Sequence, residues 1–167
     1  YRGRVRYWEI LNEPDIDFFR GTIDEYLQIF DASHRVLKRV DSGNVVMSGG
    51  FTGFSHPRRK VNFQETVLKT RGDRIDTHTL HLHGYFKRVR SEMETAVLPF
   101  RRRNKIDAPL YFNETGMDTR LGETDQAETL VKKIAYLRSA GAIGYTWYSV
   151  TDHPRSRGKP RQAGLTY

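Results

Sequence analysis

The sequence predicts an α/β fold built on a parallel sheet, and three observations carry that prediction. Short apolar segments alternate with longer amphipathic ones along the 167 residues, the pattern of strands joined by helical crossovers. The strand segments are nearly continuous apolar runs, as expected where helices cover both faces of a sheet. Functional residue types gather at their carboxyl ends: Asn12 and Glu13, His81 and His83, Asn113 and Glu114, and Trp147. Barrels and doubly wound sheets both place active sites there.

The first strand is read from Val5 to Leu11, rich in β-branched, aromatic and aliphatic residues. Pro14 has no N–H for a sheet ladder, so the strand stops before it. Thr22 with Glu25 makes a capping box, and Ile23, Tyr26, Leu27, Phe30, Leu37 and Val40 recur at helical spacing as a buried stripe. Ser42-Gly43 ends that helix. Val45 to Ser48 is a short buried strand running into Gly49-Gly50, and a polar, basic loop follows to Lys60. A shorter helix from Phe63 to Thr70 takes its start signal from Asn62 and Glu65 and stops at Gly72. The third strand is Ile75 to Leu82. A helix beginning at Ser91, with Ser91 and Glu94 as a second capping box, must kink or restart at Pro99. The fourth strand is Pro109 to Asn113. The helix after it, Asp125 to Ser139, is expected to bury Ala127, Leu130, Val131 and Ile134. The fifth strand is Ala142 to Tyr148, and the tail from His153 to Gly164 reads as a loop.

The length suits one domain spanning residues 1–167. Hydrophobic residues make up 37% and charged residues 29%, a globular balance. No apolar run approaches the roughly 18 residues of a membrane helix, so no membrane partner is expected. The absence of cysteine excludes disulfides and thiolate catalysis. The chain starts at Tyr1, so any export signal would lie ahead of it, and a secreted or periplasmic location stays open. The net charge of +8 comes from runs at Arg58-Arg59-Lys60, at Arg101-Arg102-Arg103 with Lys105, and at Arg155, Arg157, Lys159 and Arg161. These runs lack interleaved aromatics for base stacking. They are read as solvated surface rather than a nucleic-acid face, with an anionic polysaccharide substrate left open. No glycine-rich dinucleotide or phosphate loop follows the first strand. Neither a cofactor nor a metal is expected.

Glu13 ends a buried strand, where a carboxylate is costly unless it is paired or used. Glu114 repeats the arrangement: Leu110-Tyr111-Phe112-Asn113-Glu114 is again an apolar strand closing in Asn-Glu. Two acids at the ends of two strands can face each other across a pocket, as glycosidic bond cleavage requires. His81 and His83 share a strand face by alternation and are placed to hydrogen-bond Glu114 or substrate hydroxyls. Trp147 offers an apolar ring for a sugar face, and Tyr85 a weaker one.

Trp8-Glu9-Ile10-Leu11-Asn12-Glu13-Pro14 and Tyr111-Phe112-Asn113-Glu114-Thr115-Gly116 resemble the acid/base and nucleophile strands of clan A glycoside hydrolases. The first strand is nearest in look to family 39. The resemblance implies a (β/α)8 TIM barrel, present here from the fourth strand to the eighth, with the first three strands absent. A complete barrel takes about 250 residues, so the missing N-terminal half of the barrel is an implied partner. It also implies hydrolysis of O-glycosidic bonds with retention by double displacement. Glu13 would be acid/base and Glu114 nucleophile, about 5–5.5 Å apart. Asn12 would hold the sugar 2-hydroxyl, His81, His83 and Tyr85 would contact substrate or nucleophile, and Trp147 would floor the sugar site. Two readings compete. His81-Leu82-His83 also resembles the metal-binding His-x-His of amidohydrolase-like barrels, and a non-catalytic carbohydrate-binding relic of a barrel would keep Trp147.

Overall fold

The computed structural model describes residue 1 and residues 3–118, 122–149, 153–156 and 159–161, the last two segments as backbone only. Strand β1 (Tyr7–Glu9) leads to helix α1 (Ile23–Val40), then β2 (Val45–Met47), β3 (Phe51–Thr52) and α2 (Phe63–Arg71). Strand β4 (His78–His81) precedes α3 (Phe86–Glu92), a π-helical turn (Met93–Val97) and α4 (Leu98–Arg103). Strand β5 (Leu110–Thr115), α5 (Glu123–Ser139) and β6 (Ala142–Trp147) complete the pattern.

Strand β1 pairs with β2, and β3 to β6 form a four-stranded sheet in sequence order, all parallel. Single bridges Asn12–Gly50 and Met47–Thr77 stitch the two sheets together. β2 and β3 are therefore two halves of one strand lying between β1 and β4. The chain builds a wall of parallel strands in sequence order, with helices on its outer side, which is part of a (β/α)8 barrel. The break between β2 and β3 falls at Gly50, where a Cβ would run into the His81 ring and the Glu9 carboxylate. A larger residue there would have to displace both groups.

The core lies between sheet and helices. Tyr26, Phe30, Phe51, Phe63 and Phe112 are fully buried in it. Helix α1 starts as expected: Thr22 Oγ1 accepts from the Glu25 N–H at 3.2 Å, and the Glu25 carboxylate accepts from the Thr22 N–H at 2.7 Å. Ile23 and Leu37 pack against the core, but Val40, in the last turn, faces solvent. Helix α2 starts at Phe63 without its expected cap. Asn62 is left-handed, with φ 61°, and makes no capping bond, while Glu65 pairs with Arg59 at 2.9 Å. The anchor is Phe63 itself, packed against Tyr26 and Phe51.

Other expectations are corrected. The helix expected at Ser91 starts at Phe86, and Ser91 lies inside it. Glu94 binds Arg90 one turn back, at 2.8 Å, instead of closing a capping box. The α-helix restarts around Pro99, as expected. The π-helical turn before it changes the ladder, so Pro99 falls in the first turn of α4, where no N–H is needed. Helix α5 is rotated from the expected face. Val131 is 66% and Ile134 40% exposed, Ala127 is exposed and Leu130 half-buried, while Gln126, Thr129, Lys133 and Leu137 are buried. The polar stripe turns inward because Gln126 and Lys133 donate to backbone carbonyls beyond β5 and β4. The tail is not all loop: β7 (His153–Ser156) and β8 (Lys159–Arg161) pair antiparallel. The rest of the tail lies outside the described residues.

Candidate active site

The turn after β1 is held in an uncommon backbone conformation. Leu11 and Glu13 both have positive φ, 66° and 43°. Each such non-glycine residue costs on the order of 1–3 kcal/mol and persists only where its surroundings fix it. Asp15 does much of the fixing. It is fully buried and accepts from the Thr52 N–H at 3.1 and 3.2 Å and from Thr52 Oγ1 at 2.7 Å. Its own carbonyl accepts from the Lys60 N–H at 2.6 Å. Burial pushes the Asp15 carboxyl up to about 6, against the Thr52 donors.

Glu13 meets His81 from that turn. His81 Nδ1 lies 2.9 Å from Glu13 Oε1 and 3.7 Å from Glu114 Oε2. One oxygen of each glutamate and one ring nitrogen of His81 all lie within 4.8 Å of one another. The His81 side chain is 1% exposed. Burial alone would lower its proton affinity, but the combined pull of Glu13, Glu114 and Glu9 outweighs this and raises it. His83 stands beyond the end of β4 and is exposed, with Nε2 3.2 Å from Glu114 Oε1. Both histidines thus reach Glu114, at different oxygens. The His-x-His does not form a two-histidine metal pair among the described residues. The ligand-like cluster there joins His81 to the two glutamates and leaves His83 out.

Glu9 and Asn113 form a layer beneath the acids that the sequence reading missed. Asn113 Nδ2 donates to Glu9 Oε2. Desolvation raises the Glu9 carboxyl above its ordinary range, opposed by His81 and by bonds from Asn113, Thr79 and Gly50. The available signal was an acid inside an otherwise apolar strand. Lys133 is a second omission. Fully buried, it donates to Gly116 O at 3.0 Å, Thr115 Oγ1 at 3.2 Å and Leu82 O at 3.4 Å. It ties the ends of β4 and β5 together directly below His83 and Glu114.

A cleft of about 520 Å³ opens over this layer. Asn12, Glu13, His81, His83 and Glu114 line it, with Tyr148, Phe18, His56, Arg58, Arg88 and Glu92 around them. Two expected sugar contacts do not. Trp147 has its ring over Lys133 Nζ, 5.5 Å from the centroid. The residue on the cleft is its neighbour Tyr148, just past the end of β6. Tyr85 precedes α3, on an adjacent groove with Phe86 and Lys87.

No family model matches the sequence, and no curated protein matches it. Solved structures do. A glucosidase from Croceicoccus marinus superposes with a TM-score of 0.78 at 19% identity, over 96% of this chain and 36% of its own. A family 128 (subgroup II) endo-β-1,3-glucanase from Sorangium cellulosum gives 0.67 at 16% identity, over 98% and 64%. β-Glucuronidase 2 of Bacteroides uniformis, solved covalently bound to cyclophellitol-6-carboxylate aziridine, gives 0.65 at 17% identity, over 95% and 21%. The chain spans less than two thirds of the length of each of these relatives. In fold, the chain is part of the barrel found in these glycoside hydrolases.

Proposed function

We propose that this chain carries the catalytic centre of a retaining O-glycoside hydrolase, with Glu13 as general acid/base and Glu114 as nucleophile. The observation behind this reading is the approach of the two strand-end glutamates, with oxygens inside 4.8 Å and His81 wedged between them. Retaining enzymes hold their carboxyl groups about 5–5.5 Å apart, whereas inverting enzymes leave about 6.5–9.5 Å for a water. Glu114 attacks the anomeric carbon while Glu13 protonates the departing oxygen, and Glu13 then takes a proton from the water that releases the sugar. His83 and His81 orient the nucleophile. His81 also bridges the two carboxyl groups through one ring nitrogen. Asn12, beside Glu13 on the cleft, is assigned to the sugar 2-hydroxyl, a bond that strengthens in the transition state. Tyr148, rather than Trp147, supplies the ring at the cleft wall.

A slow mechanism-based substrate tests the assignment. A 2-deoxy-2-fluoro glycoside with a good leaving group forms the covalent intermediate and stalls there. Peptide mass spectrometry should find the sugar on Glu114. A label on Glu13, or none after a matched sugar series, would contradict the reading.

A further inference from the structure

Resting on that reading, we propose that the cleft has a subsite for an anionic substituent of the saccharide, a carboxylate or a sulfate ester, formed by Arg58 and Arg88.

Three acids line the cleft, and each has a partner within the protein. Glu13 meets His81 at 2.9 Å and Glu114 meets His83 at 3.2 Å. Glu92 accepts from the Ser55 N–H at 3.0 Å and from Ser55 Oγ. Arg58 and Arg88 line the same cleft, and among the described residues neither side chain joins an ion pair. The neighbours of Arg58 in its basic run are used structurally. Arg59 holds Glu65, and Lys60 donates to the Pro14, Phe19 and Gly21 carbonyls while lying over the Phe19 ring. Only Arg58 of that run lines the cleft.

Arg58 and Arg88 follow β3 and β4, the strands between the two that bear the acids. The cleft therefore places acids at the reacting bond and guanidinium groups on elements between them. His56 senses the same field. Burial lowers its proton affinity first, and then Arg58, Arg88 and His83 do so, against the pull of Glu13. Exposed guanidinium groups that are unpaired among the described residues suit planar, doubly accepting anions on a sugar.

The test is binding, so it does not depend on turnover. The polypeptide carrying this chain, as Glu114→Gln, is titrated with two pairs of probes: polygalacturonate against its carboxyl-reduced product, and chondroitin sulfate against its desulfated product. The expected result is at least one acidic probe binding about tenfold or more tighter than its neutralised form, an advantage lost in Arg58→Gln/Arg88→Gln. The pair that shows it tells carboxylate from sulfate. Arg102→Gln/Arg103→Gln removes the same charge from the exposed end of α4, away from the cleft, and should leave the preference intact. Equal binding of every pair, or equal loss in the α4 variant, would overturn the subsite. Equal binding by all probes would leave the labelling of Glu114 untouched, so the two proposals fail separately.

Discussion

Glu13 is presented by a backbone that few residues other than glycine adopt, and a buried acid two residues on helps to hold it there. Asp15 is the lever of this turn. Its folded carboxyl, pushed up to about 6, binds its proton more tightly than the ordinary value of 3.8 in an unfolded chain. The protonated form is therefore favoured by folding. The stability it contributes is full below about 4 and is lost as pH rises through about 6. Asp15→Asn keeps the shape without the charge, so it should flatten the decline in stability between those pH values. Denaturant melts at pH 4, 5, 6 and 7 check this, and an unchanged decline would remove Asp15 as its source. At this scale Glu13 and Glu114 were legible because Asn-Glu closes two apolar strands. Glu9, Asp15 and Lys133 were not. What they do depends on partners far along the chain: Glu9 on Asn113, Asp15 on Thr52, Lys133 on the ends of β4 and β5.

Among the elements, α5 shows what a stripe of apolar residues does and does not decide. Its spacing announced a helix, and the helix is there, but the inward face is the polar one because the strand ends need donors. Lys133 is the centre of that arrangement, joining Leu82, Thr115 and Gly116. Lys133→Met fills similar space without the bonds, so the segment carrying Glu114 should loosen. Misplacing a reacting group by about 1 Å can cost about a hundredfold in rate. The expected outcome is a fall in kcat of about tenfold or more with KM changed less than about twofold. Steady-state kinetics on an activated aryl glycoside read this, and an unaltered kcat would show that Lys133 serves packing alone. The two capping boxes teach the same lesson. Thr22-x-x-Glu25 begins a helix, whereas Ser91-x-x-Glu94 lies inside one, where Glu94 pairs with Arg90 a turn back. The Ser-x-x-Glu pattern alone did not separate them.

For the molecule as a whole, the parallel order of strands was readable from βα alternation, and the structure keeps it from β1 to β6. The break within the second strand was not, since the tight surroundings of Gly50 come from Glu9 and His81, far apart in the chain. The fold sets both glutamates at the same end of the wall, and their division of labour is the central claim. Azide tests it most directly, in the polypeptide carrying this chain, with an activated aryl glycoside. Glu13→Ala retains its nucleophile, forms the intermediate and lacks only the base for water, so azide should release a glycosyl azide of retained configuration. Glu114→Ala offers azide the vacated space beneath the sugar and should give the inverted product. Configurations the other way round would swap the two roles. If neither variant slows hydrolysis by at least about a hundredfold, the lower end of what acid–base catalysis supplies, these are not the catalytic pair.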